Sequence, residues 1–84
     1  MDIMNTIQKV IAAHADDRLI NYDDLLIENG IDSVLIIEII MELEEMFNIE
    51  FDPARLNYKT LKCIRTIGEY IQLEIGNGAT DGQQ

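Results

Sequence analysis

Along residues 2–14, Ile3, Ile7, Val10, Ile11 and His14 recur at spacings of three and four, with mostly polar or small residues between them. That period predicts a helix with one apolar stripe, and Asp2 stands where its N-cap belongs. The pattern returns over residues 33–47, a stretch without Gly or Pro. Placed at roughly 100° per residue, Ile36, Ile39, Ile40, Leu43 and Phe47 share one face, which belongs in the core. Glu38, Glu42 and Glu45 fall opposite, with Glu44 to one flank. Val34, Ile37 and Met41 also lie on that acidic side, as a second apolar strip. A helix with one buried face has no structural use for a second. The strip is expected either to meet a partner protein or to pack against the loop before the helix.

That loop, residues 15–32, is long for a compact domain but contains Leu19, Ile20, Tyr22, Leu25, Leu26 and Ile27. It is expected to be packed down by these anchors and to serve function. Past residue 47 a short alternating segment ends in Asp52-Pro53, which suits the start of a brief helix over 53–57. Thr60 is the expected N-cap of a last helix over about 61–73. Its stripe is Leu61, Ile64, Ile67, Ile71 and Ile75, with Gly68 as a point of close approach. Residues 1–75 thus form one domain and 76–84 are expected to be a disordered C-terminal tail. The fold class is all-α: three main helices plus one short helix in a four-helix bundle with a long first loop.

Composition narrows the function. Net charge is −10 over 84 residues, and residues 16–52 hold twelve acidic side chains against Arg18 alone. Such a surface repels nucleic acid and anionic lipid, and attracts proteins with basic patches. Cys63 is the single cysteine, which excludes an intramolecular disulfide and a cysteine metal cluster. The apolar run from Val34 to Ile37 is far short of a membrane span, and the N-terminus lacks a signal-peptide pattern. A soluble, cytoplasmic monomer is expected, with no nucleic acid and no membrane among its partners.

Ser33 is the residue with chemistry to offer. It follows an acidic loop closed by Gly30 and opens the second helix, where unpaired N–H groups and the helix dipole favour negative charge. That junction suits a phosphate ester. Serine also serves there as a plain N-cap. His14 reads as a helix-end residue, and Cys63 as a small semi-buried side chain. Asp16-Asp17 and Asp23-Asp24 lack the spacing of a calcium loop and read as solvated charge, so no metal site is expected.

Gly30-Ile31-Asp32-Ser33-Val34 heading an acidic helix resembles the attachment site of acyl and peptidyl carrier proteins. The likeness runs through residues 38–47, Phe51-Asp52-Pro53 and Tyr58-Lys59-Thr60-Leu61 to Glu69-Tyr70-Ile71, covering roughly residues 3–73. The family's usual Asp-Ser-Leu is here Asp32-Ser33-Val34. The resemblance implies that Ser33 carries 4′-phosphopantetheine, added from coenzyme A by a phosphopantetheinyl transferase, with Asp32 contributing to that step. The arm's thiol would hold acyl or aminoacyl groups as thioesters for fatty acid, polyketide or nonribosomal peptide assembly, and the protein itself would not be an enzyme. Val34, Leu35, Ile37, Glu38, Met41, Glu44 and Glu45 look like the family's docking face for loading and condensing enzymes with basic patches. Leu35 replaces a frequent acidic residue, and Asn29 a frequent Leu. A start at Met1 and a tail suggest a free-standing carrier. The alternative is an unmodified acidic interaction module of the same fold that holds a basic partner.

Overall fold

Asp2 opens the first helix: its carboxylate accepts the Asn5 N–H at 3.2 Å, and α1 follows over Ile3–His14. The computed structural model describes residues 2–82 and continues with α2 over Ser33–Phe47, α3 over Tyr58–Leu61 and α4 over Ile64–Gly82. Two 3-10 turns, Ile27–Asn29 and Pro53–Arg55, sit in the connections. The protein is all-α, with three long helices and one short one. α1 packs on both α2 and α4, and α3 packs on α4. No helix among the described residues is long and apolar enough to cross a membrane.

The core follows the predicted stripes. Ile7, Val10 and Ile11 meet Ile36, Ile39, Ile40 and Leu43 of α2, and Ile64, Ile67, Tyr70 and Ile71 of α4. His14, at the end of α1, approaches the Glu42 carboxylate at 3.6 Å. Gly68 provides close approach, since a Cβ there would fall 2.4 Å from the Met4 sulfur. The connection from α2 to α3 is strapped to α2 and to α4. The Phe51 N–H donates to Glu44 Oε2 at 2.8 Å, and the Asp52 N–H donates to the Tyr70 hydroxyl at 2.7 Å. The Phe51 and Tyr70 rings stack tilted, 4.7 Å between centroids. Burial pushes the Tyr70 phenol above its ordinary pKa, and the Asp52 amide partly offsets this. Tyr70→Phe keeps the ring and orphans that amide, so a loss of about 1–3 kcal/mol is expected in a denaturant titration.

The chain departs from the expected helix borders near its end. Thr60 is not a cap but lies inside α3. Asn57 caps α3 by accepting the Thr60 N–H at 3.2 Å. The break before α4 falls at Lys62-Cys63. There the Thr66 hydroxyl accepts the Cys63 N–H at 3.3 Å and donates to the Cys63 carbonyl at 2.9 Å. The brief helix expected over 53–57 is the 3-10 turn, with Asp52 accepting the Ala54 N–H. α4 runs past the expected end at Leu73 to Gly82, through most of the segment read from sequence as a disordered tail. The apolar stripe fades after Ile75, but the backbone continues helical across Gly76 and Gly78, each costing about 1 kcal/mol against alanine. Gln83 and Gln84 lie outside the described residues.

The loop over 15–32 is held down at several points. Ile20, Leu26 and Ile31 are buried, while Leu19 and Ile27 stay exposed. The Leu26 N–H donates to the Lys62 carbonyl at 2.9 Å, and the Arg65 N–H to the Tyr22 carbonyl at 3.0 Å. The Arg65 guanidinium grips Asp23 at 2.6 and 3.1 Å and lies 5.9 Å over the Tyr22 ring. The hydrogen bonds from Arg65 hold the Asp23 carboxyl below its usual pKa.

Candidate functional site

Gly30, at φ 84°, turns the chain in the left-handed region, which glycine adopts without steric cost. The buried Ile31 then anchors the turn, its N–H donating to the Leu26 carbonyl at 3.0 Å. Asn29 secures the approach: its side-chain amide donates to the Leu25 carbonyl at 2.8 Å, and its carbonyl accepts from the Arg18 guanidinium. The chain therefore enters α2 in a fixed direction at Asp32.

Asp32, not Ser33, is the N-cap. Its carboxylate accepts the Leu35 N–H at 2.9 Å, and its carbonyl accepts the Ile36 N–H at 2.9 Å. Ser33 becomes the first residue of α2. Its side chain is exposed, and its hydroxyl makes no hydrogen bond among the described residues. The reading of Ser33 as a simple cap is thereby removed. The Ser33 and Val34 amides likewise have no partner among the described residues, so an anion on the Ser33 oxygen would lie beside two free donors.

A cleft of about 310 Å³ adjoins this serine. Leu26, Ile31, Ile36 and Leu61 line it with apolar surface, and Tyr58 and Lys62 bring α3 to it. Along α2, Val34, Ile37 and Met41 are 69%, 51% and 60% exposed. The second strip therefore faces solvent and does not pack against the loop. Glu38 and Glu45 are exposed beside it.

Two of the expected docking residues sit differently. Leu35 is half-buried and packs on the core, and the Glu44 carboxylate is tied to the Phe51 N–H. Tyr58, Ile27 and Lys62 border the serine instead, and sequence reasoning missed all three. The signal was the spacing of Tyr58 and Lys62, which puts them on one face once α3 starts at Tyr58.

The family model of the phosphopantetheine attachment site matches residues 2–71. The chain belongs to this family. No curated protein and no solved structure matches it. As a phosphopantetheine carrier it bears 4′-phosphopantetheine through a covalent link, and such carriers interact with phosphopantetheinyl transferases and biosynthetic enzymes. The geometry fits that group. An exposed, unengaged hydroxyl next to free amides suits the anionic phosphodiester, and the apolar cleft suits the arm's aliphatic part.

Proposed function

We propose that Ser33 is the attachment residue and that the carrier holds acyl or aminoacyl groups for fatty acid, polyketide or nonribosomal peptide assembly in the cytoplasm. The observation that carries this reading is the division of labour at the head of α2. Asp32 satisfies the helix, so the Ser33 oxygen is left exposed and free to react. Once bound, the arm supplies a terminal thiol on which the cargo is held as a thioester. The chain's own residues orient and present it. The Ser33 and Val34 amides stabilise the phosphodiester charge. Val34, Ile37 and Met41 give partner enzymes a small apolar contact, while Glu38 and Glu45 steer Lys- and Arg-bearing surfaces toward it. The protein catalyses no step itself.

The test is intact-protein mass spectrometry after incubation with coenzyme A and a broad-specificity phosphopantetheinyl transferase, followed by mapping of the modified peptide. One arm on the peptide containing Ser33 is expected. An arm on any other peptide would reject the assignment.

Asp32 contributes twice, as the cap and as an acid beside the nucleophile. Asp32→Ala should lower stability by about 1 kcal/mol through the lost cap. Asp32→Asn, which still caps, should melt like the wild type but load slowly. If Asn and Asp variants load at equal rates, the carboxylate charge has no part in the transfer.

A further inference from the structure

Charge divides sharply around the Ser33 cleft. Residues 53–68 contain Arg55, Lys59, Lys62 and Arg65 and no acid, in a chain whose residues 16–52 hold twelve acids and one base. Arg65 is committed to Asp23. Arg55, Lys59 and Lys62 are exposed and form no ion pair among the described residues. Lys62 lines the same cleft as Ser33 and Ile37, together with Tyr58, which is 61% exposed. Arg55 and Lys59 line a groove on the α4 side of α3, together with Glu69 and the exposed Leu73. The cleft itself carries Asp32 on its α2 side and Lys62 on the other; the acids of α2 extend beyond the first, and Lys59 and Arg55 lie beyond the second on the neighbouring face of α3.

An enzyme that reaches Ser33 covers both walls. A uniformly basic docking surface would be drawn to Glu38 and Glu45 and repelled by Lys62 on the other side of the cleft and by Lys59 on the neighbouring face of α3. The complementary surface has cations opposite α2, carboxylates opposite α3, and an apolar seat between them for Ile37 and Tyr58. Resting on the reading of Ser33 as the attachment residue, we propose that the transferase acting there docks through such a two-signed surface, with Asp or Glu side chains against Lys59 and Lys62. The arrangement gives docking a polarity, because turning the partner by half a revolution over the cleft brings like charges together.

The test measures loading of the apo protein from coenzyme A by the source organism's own phosphopantetheinyl transferase. Wild type is compared with Lys59→Glu/Lys62→Glu, Lys59→Gln/Lys62→Gln and Glu38→Lys, each shown to be folded by circular dichroism. The Glu pair should raise KM about tenfold with kcat unchanged, the Gln pair should raise it less, and added salt should shrink both effects. Glu38→Lys should also raise KM. A uniformly basic partner reverses the first sign: more negative charge on α3 then lowers KM. That lowering, or an unchanged KM, overturns the proposal while leaving Ser33 in place. A wild-type chain that takes no arm, or an arm that still arrives on Ser33→Ala, overturns the Ser33 reading and this proposal with it.

Discussion

Ser33→Ala is expected to take up no phosphopantetheine while unfolding at the same denaturant concentration as the wild type, to within about 0.5 kcal/mol. The functional loss is complete because no other residue at the head of α2 offers an exposed hydroxyl. The stability is preserved because Asp32 accepts the Leu35 N–H, and the Ser33 hydroxyl holds nothing in place. Alanine is also the better helix former at that position. Both halves of the result matter. A drop of about 1 kcal/mol would mean that the serine caps the helix after all. A variant that retains the protein's biological activity would identify an unmodified interaction module working through the exposed strip of α2.

Ile39→Ala is expected to have the largest effect on the fold. Ile39 is fully buried on the core face of α2, so the truncation removes apolar contact and leaves a cavity, at about 2–5 kcal/mol. A domain of this size has a total stability at the low end of about 5–15 kcal/mol, so a substantial unfolded population should follow. Circular dichroism and thermal melting would show it. Val34→Ala, on the solvent side of the same helix, should leave the melt unchanged and weaken partner binding. If both variants melt alike, the assignment of the two faces is wrong.

The two faces of α2 were legible because a helix repeats every 3.6 residues, and fifteen residues without Gly or Pro leave the period little room to slip. The same holds for α1 and for the buried stripe of α4. The borders around residue 60 were not legible. Asn57, Thr60 and Thr66 are all competent caps, and only the packing of α3 on α4 decides which amide each one meets. At the site, the Gly30 turn and the adjacent Asp-Ser pair stood out in sequence. Which of the two would cap the helix did not, because both residues can accept an amide. The cleft was hidden for another reason. Its walls come from residues 26–37 and 56–62, and no local pattern reports that they meet. Leu35 and Glu44 were assigned to the docking face by resemblance. Their neighbours Ile31 and Phe51 draw them elsewhere, toward the core and the strap after α2.

The ties between the first loop and the start of α4 bear on when the cleft beside Ser33 can form during synthesis. Leu26 is bonded to Lys62, and Tyr22 and Asp23 to Arg65, so the wall behind Ser33 needs residues made long after the serine. While the ribosome still covers that later segment, α2 can form but the cleft beside it cannot close. The cleft beside Ser33 is therefore complete only once residues 62–65 have been made and have packed against the first loop.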